Sequence, residues 1–267
     1  MSSDQSYKPA RERLIDSLTV KFYDSHEQMA LAAAAAARDH LIAALAAQPT
    51  VAVILASAAS QIRFLHHLTS FSDVDWSRII FFHMDEYLGI GQDHPASFRY
   101  FLRTRVESRI RPRVFHYIQG DADEPLKECE RYTSLLSAQP IDLCCLGIGE
   151  NGHVAFNDPH VADFDDPFVI KLVKLDEACR RQQVGEGCFP DLAAVPQYAF
   201  TLTIPTLCSA KKMICVVPER RKALAVRNAL TGPISPACPA SVLRRQRHCT
   251  LFLDADSASL LEPMALA

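Results

Sequence analysis

The chain has 267 residues, 49% of them hydrophobic and 22% charged, with a formal net charge of −3. That length can bury one large core, and the near-neutral balance excludes a nucleic-acid binder that works through bulk positive charge. The cysteines number nine, without framework spacing or a CxxC pair. They argue against a disulfide scaffold or a thiolate zinc site and read as small core residues in a reducing cytoplasm.

The opening segment, MSSDQSYKPARER, has no apolar stretch of leader type, so no signal peptide is expected. The residues before Leu18 are too few for a helix-turn-helix. Leu18 to Tyr23 alternates like a strand. Ser25 then offers an N-cap, with Gln28 completing a capping box, and a helix is predicted to about Ala47, stopped by Pro49. Its alanine-rich tract, Met29 to Ala37, is broken by Arg38, Asp39 and His40 and is too short for a bilayer, which needs roughly 20 residues. No membrane association is expected.

Val51 to Leu55 reads as a buried strand, followed by a turn at Ser57 to Ser60 and a helix through about Leu68. Ile79 to His83 is a strand, Ser97 to Arg109 a helix, and Ile141 to Leu146 a strand. Phe168 to Val173, Tyr198 to Thr203, Met213 to Val217 and Cys249 to Leu253 read as further strands. Arg220 to Leu230 is predicted helical, closed by Gly232, and Pro233 to Pro239 is a surface loop. The basic run Arg244 to His248 reads as a solvated helix end before the last strand. Strand and helix alternate, which predicts an α/β fold with a mostly parallel sheet flanked by helices on both faces. No repeat or boundary is visible, so residues 1–267 are expected to form one domain.

Four loops that follow strands carry reactive groups. Ser57, Ala58, Ala59 and Ser60 can present hydroxyls and backbone N–H groups to an anion, or a serine here can simply cap a helix. Asp85 and Glu86 are adjacent, so their side chains diverge: one can face a site and act as a base on carbon while the other anchors the loop. A metal reading of His83, Asp85 and His94 lacks ligand spacing. Leu143 to Pro159, LCCLGIGENGHVAFNDP, is an apolar run opening into a glycine-rich loop that presents Asn151, His153, Asn157 and Asp158. Its imidazole can exchange protons near neutral pH, and Asp158 and Asn151 could orient it. Arg220, Arg221 and Lys222 open a helix, where cations oppose the dipole unless an anion sits nearby; a solvated basic face is the other reading.

MDEYLG followed by HPASFRYF, GIGENGHVAFNDP, VPQYAFTLTIPTL and RRKALAVRNALTG together resemble the glucosamine-6-phosphate deaminase (isomerase) family, which shares its fold with the 6-phosphogluconolactonases. The continuation HVAFND resembles the deaminase branch more than the GHTASLFP-like lactonase pattern. The resemblance implies a Rossmann-like domain that converts an amino-sugar 6-phosphate to a ketose 6-phosphate and ammonia, with no metal or organic cofactor. It implies that Asp85 moves a proton from C2 to C1, that His153 opens the sugar ring, and that Asp158 and Asn151 orient the imidazole. Gly147 would line the sugar site, and Ser57, Ala58, Ala59, Ser60 and Lys222 would hold the phosphate.

The chain departs from the family in places. SAASQ replaces a TGGTP-like phosphate loop, Asp158 stands where many members have glutamate, and a phosphate-binding arginine falls at Gln183, with Arg180 or Arg181 as nearby substitutes. CRRQQVGEG and the altered loop mark a divergent deaminase-like branch. A related isomerase or lactonase, and a non-catalytic sugar-phosphate sensor, stay open as alternatives. A homo-oligomer is compatible with the resemblance; the C4 epimer and the state of the C2 amine are left open by it.

Overall fold

A computed structural model describes residues 8–261. The first seven residues, part of the segment read above for a leader, lie outside the described residues. The elements in chain order are β1 (Arg11–Ile15), β2 (Leu18–Tyr23), α1 (His26–Ala47), β3 (Val51–Leu55), α2 (Ile62–Leu68), β4 (Ile79–His83), β5 (Asp85–Tyr87), α3 (Phe98–Leu102) and β6 (Val114–His116). They continue with α4 (Pro125–Ser137), β7 (Leu143–Leu146), β8 (Ile170–Lys174), α5 (Glu177–Gly185), β9 (Tyr198–Leu202), α6 (Ile204–Cys208), β10 (Lys212–Val217), α7 (Ala223–Thr231) and β11 (Cys249–Asp254).

Eight strands form the main sheet in the order β1-β2-β11-β10-β7-β3-β4-β6. Only β1 and β2 pair antiparallel; the remaining pairs are parallel. The central strands are apolar throughout because both faces are covered. In β3, Val51, Val53 and Leu55 enter one core with Met29 of α1 and Phe64 of α2, while Ala52 and Ile54 enter the other with Tyr132 of α4 and Val226 of α7. Strand periodicity of two therefore sorts neighbouring residues into two cores. Cys144, Cys145, Cys215 and Cys249 are buried in these layers and Cys208 is half-buried.

Chain order turns at the β7–β3 boundary. From β3 the strands run outward through β4 to β6, and from β7 they run the other way through β10 to β11. Ligand groups in open parallel sheets collect beyond the carboxyl ends at such a switch point.

The α1 helix is long and apolar enough, on length and composition, to cross a membrane. It extends well beyond the nine-residue alanine tract. Met29, Ala30, Ala33, Ala34, Ala37 and Leu41 are buried against the sheet, and Arg38 pairs with Asp73 and Asp39. Small side chains let the helix approach the strands closely. Ser25 accepts from the Gln28 N–H at 3.3 Å, the cap read from sequence.

Several elements depart from the sequence reading. β1, β6, α4, α5 and α6 were not anticipated. A second, antiparallel sheet of β5, β9 and β8 lies outside the parallel one. The single helix predicted over Ser97 to Arg109 is five residues of α3 followed by a π-helical turn, Arg103–Glu107. Phe168, expected to start a strand, is exposed, and β8 begins at Ile170. Arg220–Lys222 is a separate 3-10 turn ahead of α7. The basic run Arg244 to His248 is less solvated than expected: Arg244 reaches Asp16 and the carbonyls of Leu230 and Gly232.

Candidate active site

Four loops from the carboxyl ends of β3, β4, β7 and β10 meet in one cleft. Its lining includes Ser57, Ala58, Ser60, Gln61, Asp85, Gly147, Gly149, His153, Gln182, Gln183, Glu186 and Lys222. Ala59, expected among the anion-binding residues, is not in this lining; it opens the 3-10 turn Ala59–Gln61 and borders an adjoining hollow. Asn151 and Asp158 do not line the cleft but stand behind His153.

The adjacent carboxylates after β4 separate as neighbours on a strand must. Asp85 is 6% exposed and lines the cleft, and its Oδ1 has no hydrogen-bond partner among the described residues. Burial, and then the Glu86 carboxylate, push its pKa well above the ordinary carboxylate range. Glu86 is fully buried and accepts from the N–H groups of Tyr87, Phe98 and Arg99 and from the Ser97 hydroxyl, at 2.8–3.0 Å. It fastens the start of α3 to β5 and so fixes the neighbouring Asp85. Glu86→Ala is expected to cost on the order of 3 kcal/mol in chemical denaturation, because four donors lose a buried acceptor. An unchanged midpoint would count against that anchoring role.

His83 takes no part in the cleft: it is buried, and its Nε2 accepts from the Ile118 N–H at 2.8 Å. Burial, then Arg99, lowers its pKa to about 3.

His153 is 7% exposed. Its Nδ1 lies 3.1 Å from Asp158 Oδ1, at ion-pair distance but off the hydrogen-bond axis. Burial raises the Asp158 pKa, yet His153, Asn151 and the Asp176 N–H outweigh it and hold the carboxyl below its usual value. Asn151 Nδ2 donates to Asp158 Oδ1 and Asp176 Oδ2, each at 3.0 Å, while its Oδ1 accepts from the His153 N–H. Asn157 serves the loop instead: its Nδ2 donates to the carbonyls of Val154 and Leu202. A Cβ on Gly149 would sit 2.2 Å from the imidazole, so only glycine admits the ring there.

Lys222 is 3% exposed and lines the cleft, and its ammonium makes no hydrogen bond or ion pair among the described residues. Burial lowers its pKa, and Glu186 pulls the other way. It sits at the junction of the 3-10 turn and α7, at the end of the turn rather than in the helix that the sequence predicts from Arg220.

Neither arginine offered as a substitute phosphate ligand reaches the cleft. Arg180 donates to the carbonyls of Leu192 and Val195, and Arg181 pairs with Glu177 on the surface. Gln183 does line it.

Sequence reasoning also missed Gln61, whose Nε2 ties Ser60 to the Val216 carbonyl and whose Oε1 is buried without a partner. The glutamine in SAASQ was its only signal. Gln182 and Glu186 were passed over because CRRQQVGEG carries no apolar pattern that announces a helix, although α5 follows β8 and brings this segment to the cleft.

Among the described residues, two groups could hold a metal ion: His153 with Asp158 and Cys179, and Asp158 with His160 and Asp176. In both, Asp158 already accepts from Asn151 and the Asp176 backbone.

A parallel-sheet α/β protein with a carboxylate, an imidazole and a lysine converging at the switch point is the class these features define. The chain belongs to the glucosamine-6-phosphate isomerase/6-phosphogluconolactonase family, whose model matches residues 24–171. It is 36% identical over 194 residues to a glucosamine-6-phosphate deaminase of Exiguobacterium sibiricum, covering 72% of this chain and 74% of the relative. A solved monomeric glucosamine-6-phosphate deaminase superposes with a TM-score of 0.82 at 30% identity, over 90% of this chain and 99% of that one. A 6-phosphogluconolactonase from Shewanella baltica superposes with a TM-score of 0.74 at 17% identity, over 91% and 100% of the two chains; that likeness concerns the fold alone.

Proposed function

We propose that the chain is a single-domain, cytoplasmic deaminase and isomerase of a hexosamine 6-phosphate, with glucosamine 6-phosphate as the substrate. The observation that carries this reading is the convergence of Asp85, His153 and Lys222 on one cleft, three of whose lining residues, Ser57, Gln61 and Asp85, carry a buried polar atom without a partner among the described residues. Buried polar atoms are normally paired, so three such atoms around one cleft fit a polar ligand.

His153 moves the proton that opens the pyranose ring, with Asp158 and Asn151 fixing its orientation. Asp85, as carboxylate, takes the C2 proton and returns it to C1. Water then adds to the resulting imine and ammonia leaves. The phosphate lies at the other end of the cleft, against Lys222 and the Ser57–Ser60 loop, and supplies binding energy far from the reacting carbons. Relatives with the deaminase name at 36% and 30% identity favour this chemistry over lactone hydrolysis. A sensor has no use for a base and an acid in one cleft.

Purified protein is expected to release ammonia and fructose 6-phosphate from glucosamine 6-phosphate. Hydrolysis of 6-phosphogluconolactone with no ammonia from any hexosamine 6-phosphate would overturn the reading, and so would binding without turnover. Lys222→Ala is expected to raise KM about tenfold or more, the scale of one charge-assisted hydrogen bond, with a smaller change in kcat. An unchanged KM would remove Lys222 from the phosphate site.

A further inference from the structure

At the phosphate end the cleft also holds a carboxylate. The Glu186 side chain is 4% exposed and lines the cleft with Lys222 and Ser57. Its Oε1 accepts from Arg221 Nη1 at 2.9 Å and Gln182 Nε2 at 2.8 Å. Its Oε2 accepts no hydrogen bond among the described residues. Lys222 forms no ion pair with it, although both border the same space. The Ser57 hydroxyl is buried without a partner among the described residues.

Arg221 does not tip the balance toward positive charge. Its guanidinium also meets Glu219 at 2.6 Å and Glu150 at 3.2 Å. Around this end, Arg221 and Lys222 face Glu150, Glu186 and Glu219. A fully deprotonated oxyanion placed against Lys222 and Ser57 would meet Glu186 as a like charge. An oxyanion with one proton left would instead donate it to the free carboxylate oxygen, forming a short O–H···O⁻ hydrogen bond.

We infer that Glu186 is a specificity-determining residue that selects an oxyanion still carrying a proton, hydrogen phosphate over sulfate. By the same chemistry the site takes a phosphate monoester as its singly protonated monoanion, the Glu186 carboxylate holding the proton that the free ester loses near a pH of about 6, over a sulfate ester, which has none to donate. Charge and unpaired partners in a fixed site discriminate more strongly than shape does. The inference rests on the reading above only in placing the anion against Lys222.

Calorimetric titration of the full chain with inorganic phosphate and with sulfate, at matched ionic strength and neutral pH, tests it without turnover. Phosphate is expected to bind at least about tenfold more tightly than sulfate, the scale of one charge-assisted hydrogen bond. Glu186→Gln is expected to remove the preference, chiefly by gaining sulfate. Equal binding of both ions, no binding of either, or a variant that keeps the preference overturns the inference. Should Glu186→Gln fail to fold, as judged by its melting, the wild-type ratio and Glu186→Ala decide. Absence of ammonia release leaves this outcome intact, whereas ammonia release with equal binding of the two ions overturns only the role of Glu186.

Discussion

Asp85→Asn is expected to lower kcat about 10²- to 10⁴-fold, the span of a lost general base, and to raise the thermal midpoint at alkaline pH. Both effects come from one feature. Asp85 is buried beside Glu86, and burial first, then that like charge, raises its pKa well above the ordinary value. Because the folded pKa exceeds the unfolded one, the stability linked to Asp85 is present in full below the unfolded pKa. It is lost as pH rises through the folded pKa. Asparagine has no charge to bury, so the variant avoids that loss. The same raised pKa places the acid limb of kcat/KM above the range of a free aspartate, since only the carboxylate can take a proton from carbon. Calorimetric melting and initial rates across pH check both halves. A variant that is inactive and also less stable at alkaline pH would show that Asp85 is structural.

Gly149→Ala is expected to lower kcat/KM on the order of 10²-fold, the cost of about 1 Å of misplacement at a catalytic group. The added Cβ would fall 2.2 Å from His153 Cε1 and Nε2, well inside contact distance. The ring has little room to retreat. The backbone N–H of His153 donates to Asn151 Oδ1 and its backbone carbonyl accepts from the Gly149 N–H, so the loop closes on itself around the imidazole. Gly149 has no left-handed φ, so the alanine backbone is unstrained and the effect isolates the ring contact. Overpacking should also cost about 1–3 kcal/mol of stability. Wild-type kcat/KM in this variant would mean that the imidazole is not needed where it stands.

Much of the main sheet was legible because its strands are short apolar runs bounded by Pro, Gly or Ser. Val51–Leu55 and Lys212–Val217 follow that pattern. β1 and β6 were not legible: RERLI and VFH are too polar or too short to stand out, and they exist because a neighbouring strand offers a free edge. α5 was missed for a related reason. CRRQQVGEG has no apolar face strong enough to announce a helix, and it is held by Cys179 packing into the small cluster around Tyr87 and Phe156.

The sequence alone determined the chemistry available at each strand end: a carboxylate pair after β4, an imidazole in a glycine-rich loop after β7, hydroxyls after β3 and a lysine after β10. Local patterning is enough for that, because strand periodicity and turn residues are written in neighbouring positions. Only the tertiary structure decided which of Asp85 and Glu86 faces the cleft, that Arg180 and Arg181 turn away from it, and that Gln61, Gln183 and Glu186 enter it. These outcomes depend on which distant backbone groups need partners. Glu86 is drawn inward by the N–H groups at the start of α3, Arg180 by two carbonyls past the end of α5, and Glu186 toward Arg221 from another loop. Such pairings are fixed by the fold and leave no periodic signal in the chain.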